Sequence, residues 1–393
     1  MLDALFRRLL PWVFALTLCL FSAGQTPQPE PALTTVPMQV VNGHASVEVQ
    51  VNGASFRFLL DTGADHNVIS EAAAQQLRLR PSQQQVPSSG ASGSGGLVSW
   101  VQLKELRVGE MRQRKPIAFV VPLPKEFSYD GILGTPFFEA FITTLDYEQR
   151  ELRLFSRQQF VPPSDQQSIP LRREGNKLLV TATAASITGW FVLDIGAGNA
   201  LTLYTPTVEK HQLRTAFQPS IRTITGVSVG GYTQGDLVRL PTVSIGPYQF
   251  QQVVAELSLA QEGLFATPHY VGNLGAELWR RFTLTFDYST NKLYLKPNSA
   301  YQQPFVGPRS GLIPLHEQNI IRVLSILPSS PASEAGLLAR DLIEVVDGVP
   351  AASLSPSTLR DLLNQDPGTK LRLSVRRPSA GAREVVLTLR DLL

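Results

Sequence analysis

Two aspartates stand at the ends of apolar runs, and each is followed by a glycine turn. Phe58-Leu59-Leu60 leads into Asp61-Thr62-Gly63, and Phe191-Val192-Leu193 leads into Asp194-Ile195-Gly196. An apolar strand threads a domain interior, so an acid at its end emerges where that interior meets a second surface, and the turn amides there donate to the carboxylate. If the two segments face each other, the carboxylates share one proton, because two adjacent negative charges repel. Such a pair holds a water as nucleophile while protonating a carbonyl. That is acid/base chemistry for peptide hydrolysis, and it uses no metal, cofactor, serine or cysteine.

The elements around the aspartates occur twice. Gly131-Ile132-Leu133-Gly134 through Asp146-Tyr147 aligns without a gap with Gly272-Asn273-Leu274-Gly275 through Asp287-Tyr288 at an offset of 141, and the aspartate motifs align at an offset of 133. The near-equal offsets imply two copies of one domain, since the period is too long for a solenoid. Within each copy the pattern is mainly β: short runs such as 45–51, 56–60, 178–182 and 191–193 are rich in β-branched and apolar residues. Helices are few, with Ser70 placed to cap one at 71–77 and short ones expected after each Leu-Gly.

Composition frames these motifs. The chain has 393 residues, 43% hydrophobic and 17% charged, which is globular and implies about three domains. A net charge of +3 with scattered basic residues gives no footprint for nucleic acid. The lone Cys19 lies in an apolar run behind Arg7 and Arg8, followed by Ser22-Ala23-Gly24. This reads as a secretory signal peptide over 1–24, with an uncleaved inner-membrane anchor as the alternative. The mature chain is then expected to be secreted or periplasmic. A Pro-rich leader (25–36) and polar, Pro-rich stretches at 158–170 and 297–309 divide it into lobe one (37–157), lobe two (168–297) and a C-terminal domain (308–393).

Other chemistries fit less well. Gly226-Val227-Ser228-Val229-Gly230 matches the serine-hydrolase elbow formally, but no helix-forming sequence follows it. The five histidines show no metal-ligand spacing, so neither a metal nor a cofactor is expected.

With these motifs the chain resembles the retropepsin-like aspartic peptidases. Asp61-Thr62-Gly63-Ala64-Asp65 with Val68-Ile69 resembles their active-site segment, and Ile132-Leu133-Gly134 resembles their second signature. The resemblance spans about 37–297. It implies a mainly β fold of two acid-protease β-barrel lobes related by a pseudo-twofold axis, with Asp61 and Asp194 as catalytic residues on the turns of Thr62, Gly63, Ile195 and Gly196. It also implies a closing hairpin in each lobe: Gly93 and Gly95 fall in the first such segment, Gly226 and Tyr232 in the second, and glycines supply the freedom a lid needs. Ile195 departs from the pattern, standing where the family has a Thr or Ser whose hydroxyl interlocks with its twin. Gly198 replaces the counterpart of Asp65, and Thr135 stands where viral members have an Arg.

The last block resembles a small α+β PDZ domain of the bacterial protease-associated kind, on Ser330-Pro331-Ala332 through Ala335-Gly336-Leu337, Asp341-Leu342-Ile343 and Asp347-Gly348. Arg340 stands where a Gly is usual. Gly311, Leu312 and Ile313 then correspond to the loop that receives a peptide C-terminus, flanked by a helix over 355–364 capped by Ser355. An extended peptide would add to the sheet edge there.

The sequence reading is therefore an aspartic endopeptidase acting on polypeptides, with a PDZ domain for substrate or partner C-termini, working as a monomer with an internal pseudo-dimer. The alternative is a degenerate protease scaffold that binds without cleaving. A homodimer joining two Asp61 residues is the competing assembly, in which Asp194 would be dispensable.

Overall fold

The computed structural model describes residues 32–393 except 42, 124–126, 159, 318–319 and 378–379. The expected signal peptide and the leader up to residue 31 lie outside the described residues. No helix among the described residues is long and apolar enough to cross a membrane.

Each lobe is built on the same crossing of four strands. In lobe one, Gly131–Leu133 runs parallel to Ala54–Leu60 and antiparallel to Asn67–Ser70, which in turn runs parallel to Ile117–Val121. Lobe two repeats this with Gly272–Leu274 between Ile187–Leu193 and Leu201–Leu203, and with Tyr248–Ser258 outside. The central strands are buried on both faces: Phe58, Leu59, Leu60, Phe191, Val192 and Leu193 are 2% exposed or less. Burial on both faces is why these segments read as continuous apolar runs instead of alternating ones.

The lobes join through a shared sheet, in the order Thr34–Pro37, Glu151–Phe155, Ile142–Asp146, Phe282–Asp287, Lys292–Pro297 and Gln167–Glu174. At its centre Thr144 pairs with Thr285, their hydroxyls 2.8 Å apart. These two are mates in the sequence repeat, so the pseudo-twofold axis passes between them. Two segments assigned to leader and linker are strands here. Thr34–Pro37 forms the sheet edge, and Gln167–Glu174 begins inside the polar stretch, where Ile169 and Leu171 alternate inward at 5% and 8% exposure. The expected caps form: Ser70 Oγ accepts from the Ala73 N–H at 3.1 Å, and short helices Thr135–Phe138 and Ala276–Trp279 follow Gly134 and Gly275.

The C-terminal domain has its own core around Leu312, Ile343, Leu359, Leu371 and Leu373. The Pro-rich stretch before it is fastened to lobe two. Phe305 is 5% exposed in the lobe core, stacked 3.7 Å from the Arg281 guanidinium. Arg281, itself fully buried, donates to the carbonyls of Ala300, Tyr301, Gln303 and Pro304.

Candidate active site

The strand ends bring Asp61 and Asp194 together across the lobe interface. Asp61 Oδ1 accepts from the Gly63 and Ala64 N–H groups at 2.8 and 3.1 Å, and Asp194 Oδ1 accepts from Gly196 and Ala197 at 3.0 Å each. Each turn glycine makes room for the opposite acid. A Cβ on Gly63 would lie 2.7 Å from the Asp194 carboxyl carbon, and one on Gly196 would overlap the Asp61 carboxyl. Glycine is required here by a neighbour, not by its own backbone angle.

The two carboxyls are not equivalent. Asp194 Oδ2 accepts from the Asn273 side-chain amide at 3.1 Å. The repeat mate of Asn273 is Ile132, which offers Asp61 no such donor. Burial and the neighbouring Asp194 charge push the Asp61 carboxyl far above the usual range, against the Gly63 N–H and Lys177. Burial raises Asp194 too, opposed by the Ala197 N–H, Lys177, the Gly196 N–H and the Asn273 amide. The extra donor favours the negative charge on Asp194 and leaves the shared proton with Asp61.

Beneath the pair, Thr62 Oγ1 donates to the Leu193 carbonyl at 2.8 Å and accepts from the Ile195 N–H at 3.2 Å. Ile195 has no hydroxyl to return these bonds and packs into the core, fully buried. The lobes are thus fastened from one side.

Residues that sequence reading missed support the turns from behind. Lys177 donates to the Gly63 carbonyl at 3.2 Å and pairs with Asp65 at 2.9 Å. Asn176 donates to the Asp65 carbonyl at 2.7 Å, and Thr135 donates to the Asn176 carbonyl at 2.8 Å. At an offset of 133, the mate of Lys177 is His44, and it lies against the Gly196 backbone, the mate of Gly63. Burial pushes the His44 pKa down to about 4, with the Gly196 backbone opposing and Arg360 adding to the fall. The signal was present in the duplication, but His and Lys do not align by chemistry.

Each lobe also carries a long hairpin. Lobe one contributes Gln85–Ser89 and Ser94–Gln102, with Gly93 in the turn and Gly95 on the second strand. Lobe two contributes Ile221–Ser228 and Gly231–Ile245, turning at Val229-Gly230. Gly226 lies at a bulge and Tyr232 on the returning strand, so neither forms the tip. The tips meet. Ser92 Oγ donates to the Tyr232 carbonyl at 3.3 Å, and the carbonyls of Gly90 and Ala91 accept from Leu264 and Phe265 of lobe two at 3.1 and 2.8 Å. Val229 packs in return on the lobe-one cluster of Leu59, Val68, Val98, Val121 and Ile132.

In the C-terminal domain, Gly311 adopts φ +73° where a Cβ would strike Ser330, and Leu312–Glu317 is an edge strand that, among the described residues, pairs with Ile320–Ile326 alone. Helix Pro356–Leu363 starts from the Ser355 cap, whose hydroxyl accepts from the Thr358 N–H at 3.1 Å. Arg340 sits at φ +74°, which explains why the resemblance expects glycine there.

Comparison with known proteins finds two family matches. Residues 47–137 match the family model described as aspartyl protease, and residues 322–377 match the PDZ domain model. The first match contains Asp61 and Ile132-Leu133-Gly134 and stops before lobe two, and the second begins beyond Gly311, Leu312 and Ile313. Among solved structures, the aspartic proteinase from Irpex lacteus is similar at 13% identity, over 69% of this chain and 98% of that chain, with a TM-score of 0.45. No curated protein matches. The chain carries an aspartyl protease domain in its first lobe and a PDZ domain at its C-terminus.

Proposed function

We propose that the chain is an aspartic endopeptidase whose two carboxylates come from the two lobes of one molecule. The observation that carries this reading is the mutual fit of Asp61 with Gly196 and of Asp194 with Gly63, which no single turn sequence would require. In the reaction, Asp194 takes a proton from a water held between the pair, and the hydroxide attacks the peptide carbonyl carbon. Asp61 gives its proton to the carbonyl oxygen, forming a gem-diol. Asp194 then returns its proton to the departing nitrogen, Asp61 recovers one from a diol hydroxyl, and the C–N bond breaks.

The PDZ domain supplies a docking edge at Leu312–Glu317 for a substrate or partner C-terminus. The enzyme acts as a monomer, secreted or periplasmic after loss of residues 1–24. One observation favours the competing binding-protein reading: the hairpin tips are latched across the cleft. Hydrolysis of a proteome-derived peptide library by the full mature chain tests both. We expect cleavage that is lost in Asp61→Asn and in Asp194→Asn, with specific activity independent of dilution. Peptide binding without cleavage would favour the scaffold. Cleavage that survives Asp194→Asn and falls on dilution would favour a homodimeric site.

A further inference from the structure

The two lobes place the same row of residues beside their carboxylates and fill it with opposite chemistry. Across four strands of lobe one, Phe119 pairs with Val68, Val68 with Ile132 and Ile132 with Leu59. The same register in lobe two reads Glu256, Thr202, Asn273 and Val192. Residues opposite one another in a sheet share a face, so each row is one continuous wall. Two residues further along the outer strands, Val121 stands where lobe two has Ser258.

Each row lies beside one of the two acid turns. Ala64, from the Asp61 turn, and Val229, from the opposing hairpin tip, pack on the lobe-one wall. On the other side, Asn273 touches Asp194, and Thr225 of the lobe-two hairpin donates to Glu256 Oε1 at 2.8 Å. Glu256 lies two strand spacings from Asn273, about 10 Å. That distance suits the side chain of a residue flanking a bond held between the carboxylates.

Burial pushes the Glu256 carboxyl above its usual range, opposed by hydrogen bonds from Thr225, Thr202 and Asn199. Glu256 is 2% exposed and takes three hydrogen bonds, from Thr225, Asn199 and Thr202, all neutral. Among the described residues no Lys, Arg or His pairs with it. The side-chain oxygens of Asn199 and Asn273 are buried without a partner, as is the hydroxyl of Tyr204, just beyond the strand that carries Thr202. Asn273 and Tyr204 are fully buried. A carboxylate without a cation, beside amide oxygens without donors, is completed by a group that brings positive charge and several N–H bonds.

We propose that the lobe-two wall is a recognition pocket for a Lys or Arg side chain on one flank of the scissile bond, with Glu256 as its charge partner. The lobe-one wall around Phe119, Val68 and Ile132 takes an apolar side chain on the other flank. The proposal rests on the peptidase reading and names its substrate class: polypeptides with an apolar and a basic residue bracketing the cleaved bond.

The test compares peptides that differ only in Lys against norleucine, its neutral isostere of similar length, at the basic flank. Both are cleaved by the full mature chain at near-neutral pH, and the library cleavage sites are sequenced alongside. We expect Lys and Arg enriched on one flank only, and a kcat/KM ratio of Lys to norleucine that falls roughly 10- to 100-fold in Glu256→Gln. Should Glu256→Gln fail to fold, Glu256→Asp keeps the charge but withdraws it by one methylene. It should retain the basic preference and shift it from Lys toward the longer Arg. Asp61-dependent cleavage with no basic enrichment, a Lys-to-norleucine ratio unchanged in Glu256→Gln, or a Glu256→Asp variant with no shift from Lys toward Arg, overturns the pocket and leaves the peptidase reading intact. Absence of any Asp61-dependent cleavage overturns the peptidase reading, and the pocket with it.

Discussion

Thr62→Val removes one hydroxyl while keeping volume and branching, and it isolates the one-sided fastening between the lobes. The hydroxyl donates to Leu193 at 2.8 Å and accepts from Ile195 at 3.2 Å, and all three residues are fully buried. Valine leaves a carbonyl and an N–H without partners where water does not reach. Each costs roughly 1–3 kcal/mol, so we expect about 3 kcal/mol in all. For the two-lobe unit this lowers the melting temperature by roughly 5–10 °C. The hydroxyl also sets how the two carboxylates meet, so peptide hydrolysis should fall further than the melting shift alone accounts for. Ile195→Val is the control, because it removes one buried methylene for about 1 kcal/mol without touching either bond. Scanning calorimetry of the full chain, with hydrolysis measured well below the transition, gives both numbers. A Thr62→Val protein that melts within a degree of wild type, or no lower than Ile195→Val, would refute the claim that the fastening depends on Thr62.

The remaining expectations concern the glycine, a histidine and the PDZ domain. Gly196→Ala should abolish hydrolysis while the chain stays folded, since its methyl occupies the position of the Asp61 carboxyl; normal turnover in a folded variant contradicts the facing geometry. His44 stays neutral in the folded chain down to about pH 4, whereas in the unfolded chain it protonates near 6.5. Its folded pKa is lowered, so stability is full above pH 6.5 and declines as the pH falls toward 4, by up to about 3 kcal/mol. Urea unfolding of wild type against His44→Gln across that range should show the difference, and parallel pH profiles would exclude it. Arg340→Gly relieves a left-handed residue at φ +74° that costs about 1–2 kcal/mol, less the entropy glycine adds to the unfolded chain. The PDZ transition should therefore rise by up to about 1 kcal/mol in calorimetry, and a fall would show that the Arg340 side chain contributes more than its backbone costs.

Much of this arrangement is legible along the chain because it depends on local patterns that duplication repeats. An apolar run ending in Asp and Gly reads as a buried strand delivering an acid to an edge. The repeat offset of 141 already names Thr144 and Thr285 as mates, the pair that meets on the pseudo-twofold axis. The short caps and the PDZ signature are local in the same way. Other features depend on which segments approach across the lobe interface, and no spacing encodes that. Lys177 and His44 support opposite turns as repeat mates of different chemistry. Ile169 and Leu171 turn a polar stretch into a strand only because a neighbouring strand buries them. Asn273 looks like an ordinary substitution for Ile132 until the turn of Asp194 is folded against it. Glu256 reads as one acid in a β-rich run until register sets it opposite Thr202 and beneath the hairpin. Sequence determines what each strand carries, because burial and turn chemistry act between near neighbours. The tertiary structure decides which carried groups meet, because that depends on register and on the closing of one lobe against the other.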